Sequence, residues 1–231
     1  SGGDGSASFD MDDGSGYTAS ISLTDVAGNS ADGASSDTFG VDTTDPSASV
    51  DSTFAWDNDG SVTIDYSASD ATSGISSCTL TMSDGDTADC SAGDGSATFD
   101  MDDAAAATAS ITIEDAAGNS ATSNTFTFGV DDTDPAAAIT SDLTWDTDGT
   151  VTVTWTASDG GSGIASCTLT MNDGQTANCA GGDGTADFTL SDTASGTADI
   201  AITDTAGNSG SSNTDTFSAD NTDPSAAITS D

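Results

Sequence analysis

Val41-Asp42-Thr43-Thr44-Asp45-Pro46 returns as Val130-Asp131-Asp132-Thr133-Asp134-Pro135, and again as Asp220-Asn221-Thr222-Asp223-Pro224. The three prolines thus recur every 89 residues, and Trp56 with Trp145, Cys78 with Cys167 and Gly74 with Gly163 keep the same step. Ala-Gly-Asn returns at 27–29, 117–119 and 206–208. So many markers in constant register mean tandem copies of one folding unit. The repeat divides the chain into a C-terminal half-module (1–40), two full modules (41–129 and 130–218) and the start of another (219–231). Ser1 aligns with Ser91 and Asp231 with Asp142, so the expectation is a piece of a longer array or fibre.

Inside one repeat, apolar residues alternate with period two, as half-buried strands require. Val62, Ile64, Tyr66 and Ala68 share a face, as do Cys78, Leu80 and Met82. The same pattern holds for Phe99 with Met101, for Ala109, Ile111 and Ile113, and for Phe126, Phe128 and Val130. A short strand after Pro46 and a partner for the Cys78 strand bring the count to about seven, separated by Gly-, Asn- and Asp-rich turns. The expected fold class is all-β: tandem immunoglobulin-like β-sandwich modules of about 89 residues. Trp155 replaces Tyr66 in the inward series, and Trp56 and Trp145 also suit a core.

Cys78 and Cys90 bracket a candidate hairpin, and Cys167 and Cys179 bracket its counterpart. A three-residue loop Ser83-Asp84-Gly85 puts Gly in the left-handed final position. That register sets Cys78 directly opposite Cys90, and Asn172-Asp173-Gly174 does the same for Cys167 and Cys179. Opposed positions lie within disulfide reach. One cross-strand disulfide per module is expected, which implies an oxidising, extracellular setting. Buried free thiols are the alternative, and a zinc site lacks any His to assist it.

The chain carries 40 acidic side chains, only Glu114 being a glutamate, and no Lys, Arg or His; its formal charge is −40. No internal salt bridge is available, and the carboxylates repel one another. Bound metal ions or high salt must neutralise them. Nucleic acid is excluded as a partner because phosphate recognition relies on basic residues, and an anionic membrane surface is excluded with it. No apolar run approaches the ~20 residues of a membrane-spanning helix. Apolar residues still make up 34 %, in patterned runs that speak against disorder.

Lettering the strands A to G puts successive loops at alternating ends of the sandwich. The upstream pole collects the B–C loop with Asp70, the D–E loop with Asp94, and the F–G loop from Asp115 to Asn119. The downstream pole collects Asp57 and Asp59 of the A–B loop and Asp102 and Asp103 of the E–F loop. Linker residues Asp131 and Asp134 then stand between Asp102 and Asp103 on one side and Asp159, Asp204 and Asn208 on the other. The first junction offers Asp12 and Asp13, Asp42 and Asp45, then Asp70, Asp115 and Asn119. Calcium takes ~6–8 hard oxygen ligands in flexible geometry, so these sets are candidate calcium sites. The plainer alternative is that the aspartates form turns and supply solubilising charge. No EF-hand loop is present, since Asp57-Asn58-Asp59-Gly60 lacks the spacing and the later Glu.

Asp25-Val26-Ala27-Gly28-Asn29, Asp115-Ala116-Ala117-Gly118-Asn119 and Asp204-Thr205-Ala206-Gly207-Asn208 resemble the Asp-x-Ala-Gly-Asn signature of bacterial immunoglobulin-like (Big-type) repeats. The Val-Asp-Thr-Thr-Asp-Pro linker, Ser73-Gly74-Ile75 and Ser162-Gly163-Ile164 fit the same likeness, which covers essentially the whole chain. The resemblance implies stalks of extracellular adhesins and surface filaments, in some of which junction aspartates bind calcium and stiffen the rod. The expected role is structural: a calcium-rigidified filament or stalk element that self-associates or continues in a longer array. The alternative is a glycan- or surface-binding adhesin whose modules bind the target directly. Enzymatic activity is not expected, because no His, Lys or Arg is available for proton transfer or oxyanion binding.

Overall fold

A computed structural model describes residues 5–142 and 145–228; Trp145 and Asp146 are described by their backbone, as are Thr193 and Ala194. In chain order the strands are β1 (Gly14–Tyr17), β2 (Ser22–Thr24), β3 (Ser30–Asp32), β4 (Phe39–Val41), β5 (Ser47–Val50), β6 (Trp56–Asp57), β7 (Ser61–Ser69) and β8 (Ile75–Met82). They continue as β9 (Thr87–Asp89), β10 (Gly95–Asp100), β11 (Ala104–Asp115), β12 (Ser120–Thr122), β13 (Phe126–Val130), β14 (Ala136–Ile139) and β15 (Trp145–Asp146). The last are β16 (Thr150–Ser158), β17 (Ile164–Met171), β18 (Thr176–Asn178), β19 (Gly184–Thr189), β20 (Thr193–Asp204), β21 (Ser209–Ser211) and β22 (Asp215–Ala219). Among the described residues every regular element is a strand.

Two sheet patterns occur twice. A three-stranded sheet runs β10-β7-β5, and again β14-β16-β19; a larger one runs β6-β13-β11-β8-β9, and again β15-β22-β20-β17-β18. In the larger sheets β12 and β21 add to the ends of β11 and β20. The chain therefore places its A strand in one sheet and crosses to the other through β6, which pairs in parallel with β13. Trp56 lies against the backbone of Gly129 there, where a Cβ would overlap the indole ring. From the sequence, Asp57 is expected in the A–B loop; it lies instead with Trp56 in the two-residue strand β6, where Gly129 leaves room for the indole ring.

By contacts the chain comprises two compact units. One holds residues 1–53, 63–98 and 108–127, and the other 54–62, 99–107 and 128–231. The boundary crosses the strands of the 41–129 repeat instead of following the linkers.

Alternation sets what is buried. Val62, Ile64 and Ala68 face inward on β7, Cys78, Leu80 and Met82 on β8, and Ala109, Ile111 and Ile113 on β11. In the C-terminal unit Val153, Trp155, Leu169, Met171, Ile200 and Ile202 form one buried cluster. Trp155 faces this core and donates its Nε1–H to the Gly182 carbonyl at 3.0 Å, so its polar edge is satisfied. In the two full modules the outward strand positions are chiefly Ser, Thr, Asp and Ala, with no large apolar side chain exposed among the described residues there.

The hairpins adopt the expected register: Thr79 pairs with Asp89 and Thr81 with Thr87, and Gly85 takes φ of 103°. Cys78 is bonded to Cys90 and Cys167 to Cys179, each with Cα atoms 4.9 Å apart. Both bonds join neighbouring strands of one sheet. Closing so short a loop contributes at most about 3 kcal/mol to a module.

Candidate metal centre

Each Asp-x-Ala-Gly-Asn signature folds into the same turn. In the second copy Asp115 Oδ1 accepts from the amides of Ala117, Gly118 and Asn119 at 2.9, 2.7 and 2.9 Å, while Oδ2 accepts from Asn119 Nδ2 at 2.7 Å. Gly118 has φ of 98°, a conformation that explains the Gly of the signature. Asn119 Nδ2 also reaches the carbonyl of Asp42 in the linker at 3.1 Å. The third copy repeats this: Asp204 accepts from Gly207, Asn208 and the Asn208 amide group, which donates to Asp131 O at 2.7 Å. In the first copy Asp25 accepts from Ala27, Asn29 and the Asn29 side chain, and the turn is exposed.

The linker aspartate forms a second anchor. Asp42 Oδ1 caps the amide of Thr44, and its Oδ2 accepts from the amide of Ser73 in the B–C loop at 3.0 Å. Asp131 does the same with Thr133 and with Ser162, the latter at 2.6 Å. Asp70 Oδ2 holds its own loop through the amides of Thr72 and Gly74, and Asp159 Oδ2 holds Gly161 and Gly163.

These anchors bring three carboxylates together twice, within one compact unit each time. Asp42, Asp70 and Asp115 each offer an oxygen within 4.8 Å of the other two, and so do Asp131, Asp159 and Asp204. Asp115, Asp131 and Asp204 are buried. Asp70 Oδ1 and Asp159 Oδ1 are buried atoms that accept no hydrogen bond. Burial pushes the Asp115 carboxyl up, but Asn119 and the turn amides outweigh it and hold the group below the ordinary carboxylate range. Three converging carboxylates, one oxygen without a donor, and no basic side chain in the chain form a donor set that fits a hard divalent cation. Asp42, Asp70 and Asp115 would hold one ion; Asp131, Asp159 and Asp204 would hold another.

The other candidates lie elsewhere. Asp13 accepts from Thr43 and Thr44, Asp103 from the Asp132 amide and the Thr133 hydroxyl, and Asp192 from Asn221 and Thr222. The Thr44 hydroxyl holds Asp13 below its usual range; the Asp132 amide does so for Asp103, and the Thr222 hydroxyl for Asp192. The charge of Asp103 in turn raises Asp132. Asp94 Oδ1 accepts from the Ala68 amide, Asp57 Oδ1 from Gly60, and Asp59 Oδ1 from Ser61. Asp12, Asp45, Asp102 and Asp134 are exposed and belong to neither three-carboxylate set. Asn119 and Asn208 stand beside the sets as tethers, with their amide groups on the linker carbonyl.

The fold is a tandem immunoglobulin-like sandwich. No family model and no curated protein sequence matches the chain. Among solved structures, fibronectin(III)-like modules of Clostridium thermocellum CbhA are 14 % identical, with TM-score 0.41, covering 75 % of this chain and 93 % of theirs. The FN1–FN3 domains of chicken CNTN1 are 9 % identical, with TM-score 0.39 and coverage of 87 % and 77 %. A 1.5-MDa bacterial ice-binding adhesin is 23 % identical, with TM-score 0.38 and coverage of 88 % and 74 %. No helix among the described residues is long and apolar enough to cross a membrane.

Proposed function

We propose that the chain is a non-enzymatic structural segment of an extracellular filament or adhesin stalk of the bacterial immunoglobulin-like kind, stiffened by calcium where linkers meet modules. One observation carries the reading: the same three-carboxylate convergence is built twice, with a buried oxygen of Asp70 and of Asp159 left without a donor. In a chain of formal charge −40, such convergence is costly unless a cation occupies it. An ion held by Asp131 of the linker, Asp159 of the B–C loop and Asp204 of the F–G loop ties three segments to one point. That removes freedom from the linker and gives it a set direction. Calcium suits the set because Asp carboxylates and loop carbonyls offer hard oxygens in irregular geometry.

The two disulfides support a location outside the reducing cytosol. Calorimetric titration of chelator-stripped protein is expected to find two calcium ions per chain. Calcium at a hundredfold excess over its dissociation constant should stabilise the modules by about 2.7 kcal/mol per site. A stripped protein that binds no calcium, or melts at the same temperature with and without it, refutes the reading.

A further inference from the structure

The B–C loops of the two full modules differ at a position where the turn itself demands nothing. Asp70-Ala71-Thr72-Ser73-Gly74 aligns, 89 residues on (159 − 70), with Asp159-Gly160-Gly161-Ser162-Gly163. Gly74 and Gly163 take φ of 84° and 86°, so both copies need glycine there. Gly161 lies outside the left-handed region, and its φ does not call for glycine. Thr72 fills the same place in the other module.

What excludes a side chain at position 161 is the linker. A Cβ there would stand 2.4 Å from Cγ and Oδ1 of Asp131 and 2.6 Å from its Oδ2. Ordinary contact between such atoms is ~3.5–4.0 Å. The Asp131 carboxylate therefore occupies the space that a side chain would take. Asp131 is fully buried. Its Oδ2 accepts from the Ser162 amide at 2.6 Å and its Oδ1 from the Thr133 amide at 3.3 Å. Asn208 Nδ2 donates to its carbonyl at 2.7 Å. Beside Thr72, the corresponding Asp42 carboxylate stands 3.0 Å from the Ser73 amide. Each set of contacts lies inside one compact unit.

We propose, building on calcium as the ion at these junctions, that the residue at positions 72 and 161 sets the affinity of its site, and that Gly161 makes Asp131, Asp159 and Asp204 the tighter one. A carboxylate seated in advance and held by two amides gives up little freedom when an ion arrives. It already lies with an oxygen within 4.8 Å of oxygens of Asp159 and Asp204, so negative charge is concentrated before binding. A side chain at 161 pushes that carboxylate aside, and the ion must then re-order it or keep a water in its place. Thr72 imposes this condition on the first site. The two junctions fill in sequence as calcium rises: the linker 130–135 is fixed at low calcium and the linker 41–46 at higher calcium. Stiffening is then graded by calcium concentration instead of being switched at a single value.

The test is calorimetric titration of the full, chelator-stripped chain with calcium. Two steps should appear, separated by about tenfold or more in affinity. Asp159→Asn should abolish the tighter step and Asp70→Asn the weaker, which assigns them. Gly161→Thr should weaken the tighter step by about tenfold or more, and Thr72→Gly should strengthen the weaker one. That gain is a readout that general damage to the loop would not produce, and it keeps the test decisive should Gly161→Thr fail to fold. A parent chain that takes up no calcium refutes the proposed function itself. Two ions bound with equal affinity, a tighter step abolished by Asp70→Asn, a tighter step unchanged in Gly161→Thr, or a weaker step unmoved in Thr72→Gly each overturns the affinity assignment alone.

Discussion

The upstream and downstream loops use the same residue type for different ends. At the downstream pole Asp13, Asp103 and Asp192 each have both oxygens filled by amides and hydroxyls of the following linker, such as Asn221 and Thr222 for Asp192. Such a carboxylate is self-sufficient, because neutral donors stabilise its charge locally. At the upstream pole three carboxylates from three segments meet, and the donors available are spent holding each loop in shape. Asp70 Oδ1 and Asp159 Oδ1 are what remains. On the proposed reading, donor supply, and not acidity as such, separates a turn-forming aspartate from one that would take a cation.

Removing one charge from an upstream set should have the largest effect and should change sign with conditions. Asp159→Asn is expected to reduce calcium stoichiometry from two ions to one and to lower the melting temperature in calcium. In chelator the same protein should be at least as stable as the parent, because the repulsion within the set is relieved. Two ions still bound by Asp159→Asn would erase the distinction between the poles.

A tether should matter less than a ligand. Asn208→Ala breaks the contacts to Asp131 O and Asp204 Oδ2. It should cost on the order of 1 kcal/mol of stability in chelator and weaken one calcium site by about tenfold. Titration followed by thermal unfolding reads both.

The downstream pole should give the smallest response, and one governed by pH instead of calcium. Asp192 is held below its usual range in the folded chain, chiefly by the Thr222 hydroxyl. Its contribution to stability is therefore present above the unfolded carboxylate value of about 3.9 and is lost as pH falls through the folded value. Asp192→Asn should remove that part of the acid-side loss, leave the calcium stoichiometry at two, and shift the melting temperature at neutral pH no more than ordinary surface substitutions do. Calcium binding that weakened in Asp192→Asn would join the two poles into one site.

Much of this was legible beforehand. The position of Gly85 determined the hairpin register and with it the partner of each cysteine, because a left-handed residue can end a three-residue loop only one way. Alternation identified the inward rows, Trp155 included. The convergence of Asp70 and Asp115 on linker Asp42 followed from counting loops to alternate ends. The short strands β6 and β12 were not legible, since two or three residues carry no periodicity and depend on neighbours such as Gly129. Nor did charge distinguish Asp103 from Asp131. The difference lies in which hydroxyls and amides lie within reach, which is set by the folded linker. The side chain of Trp145 lies outside the described residues.

Placing each disulfide between adjacent strands has a mechanical consequence. The bond spans 12 positions of sequence and leaves its Cα atoms 4.9 Å apart. A module pulled open at its ends would release its two sheets from one another, yet that loop could not join the extended thread. At ~3.5 Å per residue, the withheld slack is roughly 40 Å per module. A shorter leash limits how far an array recoils or tears after one unit gives way, and a reductant would lengthen each step of the extension trace by that amount.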